Sequence, residues 1–155
     1  MPSLHSLLSA DRVHVGLDVE TKADVLRAMV GLAETAPEVT DADALLASVE
    51  AREALISTGV GEGLALPHAR TSAVSGTVVC LATLAAPVGY DALDGQPVVM
   101  VVFLAGPEGE RGEHVRLLSR ISRVVADPDA RQRILSADDA EGVLHAIAEA
   151  EASLV

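Results

Sequence analysis

The sequence predicts a single α/β domain with a central mixed β-sheet flanked by helices. Three observations support this fold class. Segments with helical spacing follow capping signals, two apolar runs have the β-branched content of buried strands, and 50% of the 155 residues are hydrophobic. That length suits one core of ordinary domain size. We therefore expect one domain over residues 1–155, with about four to six strands and with helices packed on the faces of the sheet.

Two helices are predicted in the first third of the chain. A capping box that starts at Thr21 precedes apolar residues at helical intervals, which predicts a helix over 22–35. A second box starts at Thr40 and predicts a helix that carries Arg52 in its last turn. A basic residue in that position complements the helix dipole.

The central third is predicted to supply the buried strands. The runs 78–84 and 98–105 are apolar, contain β-branched residues and are bounded by Gly and Pro, as expected of strands that are covered on both faces. Between them, residues 91–97 have the composition of a turn. Cys80 lies inside the first run and is interpreted as a small buried hydrophobic residue, because a lone cysteine cannot form an intramolecular disulfide.

Helices are predicted again in the last third. One apolar stripe has a histidine at its start, and its members are His114, Leu117, Leu118, Ile121 and Val125. The Asp-Pro pair at 127–128 ends this helix. Two shorter helices complete the chain, one near 129–135 and one that begins with the capping pattern of Ser136 and Asp139.

Charge and hydropathy exclude two classes of partner. The formal net charge of −12 would repel a phosphate backbone, so nucleic acid is not expected as a direct partner. No apolar stretch approaches the roughly 20 residues that span a bilayer, and the first ten residues lack the features of a secretion signal. We expect a cytoplasmic protein without direct membrane insertion.

The most unusual segment is a glycine-rich stretch that leads to a histidine. Residues 57–63 contain three glycines, 64–66 are predicted to be extended, and Pro67 directly precedes His68. The segment is not a dinucleotide fingerprint, since Leu64 stands where the third glycine is required, and no Gly-Lys-Ser/Thr follows as in a P-loop. We expect His68 in a loop, with one imidazole nitrogen exposed.

These residues resemble the type-2 enzyme IIA domains of the bacterial phosphotransferase system (PTS). The resemblance is carried by Arg52-Glu53, Ser57-Thr58-Gly59-Val60-Gly61-Glu62-Gly63 and Ala65-Leu66-Pro67-His68, with His114 downstream. Residues 87–98 resemble the nitrogen-related branch more than the mannitol and fructose branches. The resemblance covers nearly the whole chain, so we expect a stand-alone IIA domain without fused IIB or IIC domains.

The resemblance implies that His68 is the phosphoryl acceptor, and that HPr or a nitrogen-type HPr is the donor. Arg52 and His114 are then the candidates for stabilising the equatorial oxygens of the transferred group. Glu62 is expected as a neighbour of the site only, because a carboxylate disfavours a dianion beside it. No cofactor is expected. A metal site of His68, His114 and Glu62 is conceivable by ligand type but matches no compact zinc spacing.

The sequence alone leaves alternative roles open for several residues and for the protein as a whole. His114 could instead be a helix-stripe histidine that donates to a carbonyl, and Arg52 could be a surface residue that compensates the helix dipole. His5, His14 and His145 are interpreted as structural or simply exposed. For the protein as a whole, His68 could pass phosphate to a IIB acceptor, or its phosphorylation could switch binding to a regulated target protein without onward transfer.

Overall fold

The computed structural model describes residues 3–154. The predicted domain also includes residues 1, 2 and 155, which lie outside the described residues. Over the described range, the helices are α1 Leu4–Leu7, α2 Lys22–Ala33, α3 Ala42–Leu55, α4 Arg111–Ala126, α5 Pro128–Ser136 and α6 Ala140–Ala152. The strands are β1 Val13–Leu17, β2 Gly59–Gly61, β3 Leu64–Ala65, β4 His68–Arg70, β5 Val78–Val88 and β6 Val98–Gly106.

The strands form one mixed sheet, as predicted. Within residues 3–154 it has six strands in the order β1-β5-β6-β3-β2, and β4 also pairs with β6. The two long strands β5 and β6 are antiparallel, whereas β1 is parallel to β5 and both β3 and β4 are parallel to β6. In the described part of the chain β4 has β6 as its strand partner, so the other side of β4 is an edge of the sheet.

Helices cover both faces of this sheet, because β5 and β6 send alternate apolar residues to opposite sides. Cys80 and Phe103 belong to a core shared with α2 and α3. Leu81 and Leu104 belong to a second core shared with α1, α4, α5 and α6. Burial raises the pKa of the Cys80 thiol to about 12, which agrees with its interpretation as a buried hydrophobic residue.

Side-chain caps set the starts of the helices, although not always at the predicted residue. Thr21 accepts a hydrogen bond from the Asp24 N–H at 3.1 Å, as the capping box predicts. The predictions at Thr40 and Ser136 are wrong. α3 is capped by Asp41 instead, and α6 by Asp139, since an Asp directly before the first helical turn accepts its N–H equally well. The Thr40 hydroxyl bonds the carbonyl of Ala73, and Ser136 is the last residue of α5.

Element lengths differ from the prediction in few places. α2 ends at Ala33 rather than at residue 35. β5 continues to Val88 rather than ending at residue 84, through an irregularity in its pairing with β6 between Thr83 and Val88. The N-terminal elements α1 and β1 were not predicted from the sequence. In residues 3–154 no helix combines the length and the apolar character needed to cross a membrane.

Candidate functional site

His68 is the first residue of β4 rather than part of an irregular loop. It lies in register with Leu104 of β6, whose side chain belongs to the core beneath α4. Residues paired in register project to the same face of a sheet, and side chains alternate along a strand. His68 and Arg70 therefore face the α4 side, whereas Ala69 packs in the opposite core.

The orientation of the His68 ring is set by the backbone two residues before it. Ring nitrogen Nδ1 lies 2.7 Å from the carbonyl oxygen of Leu66. A carbonyl can only accept, so Nδ1 carries the proton and donates it, and Nε2 keeps its lone pair. Burial of the half-buried ring lowers the pKa of His68, the Leu66 hydrogen bond opposes that change, and the charge of Arg52 lowers the pKa further. The ring is therefore neutral at pH 7.

His114 lies in the first turn of α4, close to His68. The two ring centroids are 5.5 Å apart and the rings are tilted by 50°. His114 is 7% exposed, and no partner within residues 3–154 hydrogen-bonds its Nδ1. Gly106 lies against this ring, and a Cβ there would be 3.4 Å from Nδ1, which is an ordinary contact distance. Burial, followed by the positive charge that His68 carries when it is protonated in acid and by the charge of Arg70, lowers the pKa of His114 to about 4.

Arg52 lies in the last turn of α3, as predicted. Its Nη1 donates to the carbonyl of Ile56 at 3.1 Å. A cavity of about 590 Å³ is lined by Arg52 together with His68 and His114. The structure thus brings the three predicted site residues to one place, at the edge of the sheet where β4 lies.

Two further arginines line the same cavity, and sequence analysis missed both. Arg70 and Arg111 join Arg52 there, so a chain of net charge −12 concentrates three cations around His68. The spacing held a usable signal. Arg70 is two residues after His68 on a strand, and Arg111 is three residues before His114 on a helix, and both spacings place side chains on one face.

Exposed apolar side chains surround the same place. A second cavity of about 290 Å³ shares Arg52 and His68 with the first. The two cavities are lined by five large hydrophobic residues that are between 47% and 81% exposed. We call them the apolar rim, and they are Leu55, Ile56, Val60, Leu93 and Val115.

Glu62 does not line either cavity, so its prediction as a neighbour of His68 is wrong. It lies at the turn between β2 and β3 with φ 56°. Its N–H donates to Asp94 Oδ2 at 2.9 Å, and its carbonyl accepts from Arg131. The three residues line a separate cavity of about 540 Å³. The carboxylate whose charge acts on His68 is that of Glu53. It opposes the lowering of the His68 pKa by burial and is the smallest of the contributions.

The arrangement around His68 is chemically suited to an anion. Neutral imidazoles and guanidinium groups are hydrogen-bond donors for phosphate oxygens. Among residues 3–154, no three His, Cys, Asp or Glu side chains are grouped as metal ligands would be.

The fold is that of the IIA components of the phosphotransferase system, the phosphocarriers of that pathway. The chain superposes on the crystal structure of the nitrogen regulatory protein IIA-Ntr from Neisseria meningitidis with a TM-score of 0.87 and 28% identity, over 93% of this chain and 98% of that one. Residues 6–150 match the family described as phosphoenolpyruvate-dependent sugar phosphotransferase system, EIIA 2, and the chain belongs to this family.

Relatives occur in both the regulatory and the sugar-specific branches. The chain is 36% identical over 152 residues to the nitrogen regulatory protein of Pseudomonas aeruginosa. The aligned residues make up 97% of this chain and 98% of that protein. It is 30% identical over 141 residues to the fructose-specific EIIABC component of Bacillus subtilis, which covers 91% of this chain but 22% of that protein. The predicted resemblance to the type-2 enzyme IIA domains, including the nitrogen type, is confirmed.

Proposed function

We propose that this phosphocarrier accepts a phosphoryl group on Nε2 of His68 and forms a phosphohistidine. The observation that carries the proposal is the 2.7 Å contact between Nδ1 and the Leu66 carbonyl. It assigns the proton to Nδ1 and leaves the Nε2 lone pair as the nucleophile. The lowered pKa of His68 keeps that lone pair free near neutral pH. In the transfer, the bond between phosphorus and the donor breaks as the bond to Nε2 forms.

Arg52 and His114 stabilise the phosphoryl group during its transfer. Charge in such a transfer is spread over three equatorial oxygens, so positioned donors supply most of the catalysis. Arg52 brings a permanent cation. His114 is neutral, because its pKa is about 4, and its buried Nδ1 lacks a partner among the described residues. A proton on Nδ1 would be a buried unsatisfied donor, so the proton belongs on Nε2, from which His114 donates to the phosphoryl oxygens.

Arg70 and Arg111 supply additional positive charge at the same cavity. Arg70 is anchored through Nη1 to the carbonyl of Glu108 at 3.3 Å, which holds it near the start of α4. Cations in a cleft raise the local concentration of an anionic group even when the whole protein is acidic. These arginines therefore assist approach of the phosphorylated donor.

The apolar rim is the surface on which protein partners dock. Exposed apolar residues that are grouped around a polar centre mark interaction sites rather than ordinary surface. The proposed donor is HPr or a nitrogen-type HPr, and the proposed recipient is a IIB acceptor.

The family match over residues 6–150 supports the prediction of one EIIA type-2 domain. Phosphoenolpyruvate, which the family description names, is a cytoplasmic metabolite, and we place the cycle in the cytoplasm.

The proposal is tested by phosphorylating the purified chain with enzyme I, HPr and labelled phosphoenolpyruvate. We expect one acid-labile, base-stable phosphate per chain, mapped to His68, and none on His68→Ala. His145→Ala is the matched control, because this histidine lies on α6 with its side chain 70% exposed. Absence of label from the wild-type chain, or its retention in His68→Ala, would contradict the proposal.

A regulatory role is the second candidate, favoured by the likeness to the nitrogen regulatory proteins. In that role the phosphoryl group on His68 changes which protein the apolar rim binds, and no downstream acceptor is required. Pull-downs with His68→Asp and His68→Ala distinguish the two forms. Different partner sets support switching, whereas identical sets count against it.

A further inference from the structure

Glu53 is a buried carboxylate beside the site, on the last turn of α3. It is 7% exposed, and its two oxygens each accept a hydrogen bond from Thr58. The Thr58 N–H donates to Oε2 at 2.7 Å, and the Thr58 hydroxyl donates to Oε1 at 2.6 Å. Nζ of Lys22 lies 3.8 Å from Oε1. A buried carboxylate is costly unless it is paired and hydrogen-bonded, so its three partners hold it in one place.

Thr58 continues this set of contacts toward the acceptor histidine. Its carbonyl accepts a hydrogen bond from the Leu66 N–H at 2.9 Å. The Leu66 carbonyl in turn accepts the Nδ1 proton of His68 at 2.7 Å. Glu53 is therefore connected to the His68 ring by consecutive short hydrogen bonds through two residues.

The same contact with Thr58 also acts on Arg52. α3 ends at Leu55, and residues 56–58 fold back against the end of the helix so that Thr58 reaches Glu53. This return brings the Ile56 carbonyl to 3.1 Å from Nη1 of Arg52. The guanidinium therefore has its place fixed by the segment that Glu53 holds.

Further contacts make the cluster rigid. The Tyr90 hydroxyl lies 3.2 Å from Oγ1 of Thr58, and the Lys22 ammonium lies 4.7 Å from the centre of the Tyr90 ring. Thr58 is 3% and Tyr90 1% exposed, so water does not compete for these bonds. Hydrogen bonds between such buried groups are stronger than they would be in water.

We infer that Glu53 is the positioning residue of the phosphoryl-transfer site, acting on both His68 and Arg52 without touching the transferred group. It holds Thr58, and Thr58 places the carbonyl groups that orient the two side chains. Catalytic groups work when they are held within about 0.5 Å of the productive geometry, and a displacement of about 1 Å costs roughly 100-fold in rate. The inference rests on the proposed role of His68 as acceptor.

The test compares Glu53→Gln with Glu151→Gln. A glutamine at 53 replaces one of the two carboxylate oxygens by an amide NH2 group, which cannot accept the hydrogen bond that Thr58 donates to that oxygen. Glu151 is a matched control, because it is also a buried carboxylate, 5% exposed, and accepts the backbone N–H groups of Leu4 and His5. It lies on α6 and contacts none of the site residues named above. Both variants should lose thermal stability, but only Glu53→Gln should change the geometry of the transfer site.

Two readouts are measured in each variant. The first is kcat and KM for transfer from phosphorylated HPr. For Glu53→Gln we expect kcat to fall about 10- to 100-fold with KM within about twofold of the wild type. The second is the ¹⁵N spectrum of the His68 imidazole, where the single Nδ1–H tautomer should become a mixture of tautomers. Glu151→Gln should keep the wild-type kcat and tautomer.

The outcomes are separable. A wild-type kcat and a pure Nδ1–H tautomer in Glu53→Gln overturn the inference, as does an equal loss of kcat in both variants. If Glu53→Gln does not fold, Thr58→Val decides, because it removes the hydroxyl donor and keeps the backbone donor. It should show a smaller change in both readouts, and no change overturns the inference. If the wild type accepts no phosphate, the proposed function is overturned and the inference with it, and a tautomer shift in Glu53→Gln would then show only that Glu53 orients the His68 ring.

Discussion

The ring centroids of His68 and His114 are 5.5 Å apart, although the two residues come from a strand and a helix. His68 is fixed by pairing of β4 with β6, and His114 by packing of α4 on the sheet, where Leu117 and Ile121 are fully buried. The separation of the rings is therefore set by the core rather than by a flexible loop. His114, which we propose as a hydrogen-bond donor to the phosphoryl group on His68, is therefore held beside the His68 ring.

Replacing His114 by alanine is expected to slow phosphoryl transfer. His114 is proposed to donate to the transition state, and loss of one such donor costs about 100- to 1,000-fold in kcat. KM for phosphorylated HPr should change little, because a group that acts on the transition state contributes less to ground-state binding. Steady-state transfer kinetics give both constants, and circular dichroism checks that the fold is retained. Unchanged kinetics would remove His114 from the mechanism.

The change Arg52→Lys keeps the charge but is expected to lower kcat about 10-fold or more. A lysine cannot donate to the Ile56 carbonyl and to a phosphoryl oxygen in the fixed planar geometry of a guanidinium. Arg123→Lys is the matched control, because Arg123 is an exposed arginine in the last turn of α4. Single-turnover transfer from phosphorylated HPr measures the effect. Equal rates for the two variants would indicate that Arg52 is a surface residue that compensates the helix dipole.

Acidification is expected to destabilise the protein through His114. Its pKa is about 4 in the folded state and about 6.5 in the unfolded state. Between these values the unfolded chain binds more protons, so the free energy of unfolding falls as the pH is lowered from about 6.5 to 4. The loss for this group is on the order of 3 kcal/mol. The lowered pKa of His68 acts in the same direction.

Urea unfolding at pH 7, 5.5 and 4.5 measures this dependence in the wild type and in His114→Ala. Carboxylates with lowered pKa, such as Glu151, also lose stabilising interactions in acid, but they do so equally in both proteins. The difference between the two slopes therefore isolates His114. Parallel pH profiles would show that His114 titrates normally in the folded state.

A charge on the apolar rim is expected to weaken docking of the donor. Leu93 is 66% exposed and lines the smaller cavity beside His68. Leu93→Asp should raise KM for phosphorylated HPr about 10-fold, because burying an unpaired carboxylate at an interface is unfavourable. Leu135→Asp is the control, since Leu135 is 36% exposed and lies on α5, outside both cavities. A rim that does not contact the donor would give the same KM in both variants.

Much of the fold was predictable because local signals and tertiary packing agree. The capping residue at Thr21, the Asp-Pro stop at 127–128 and the apolar runs of β5 and β6 mark elements that the structure contains. β4 has three residues and no periodicity of its own, so His68 was predicted in a loop. The strand exists because β6 offers it hydrogen-bond partners, which no local pattern reveals.

The candidate site was predictable in part. The structure brings His68, His114 and Arg52 together, as the resemblance implied, although their chemical roles remain predictions. Glu53 belongs to the motif that carries the resemblance but was given no role from the sequence, despite its position four residues after Val49, on the buried stripe of α3. A glutamate there reads as an exposed residue unless its partner Thr58 is known. Glu62 was predicted near His68 because the two are close in sequence. The turn between β2 and β3 places Glu62 away from the two cavities that His68 lines.

Placement of the acceptor on a hydrogen-bonded strand limits how a phosphorylated form can be recognised. β4 is paired with β6 at each of its three residues, and His68 cannot shift its backbone without breaking those pairs. Free and phosphorylated proteins should then have nearly the same shape and differ by about two negative charges. A partner that distinguishes them must do so electrostatically, and its selectivity should weaken as ionic strength rises.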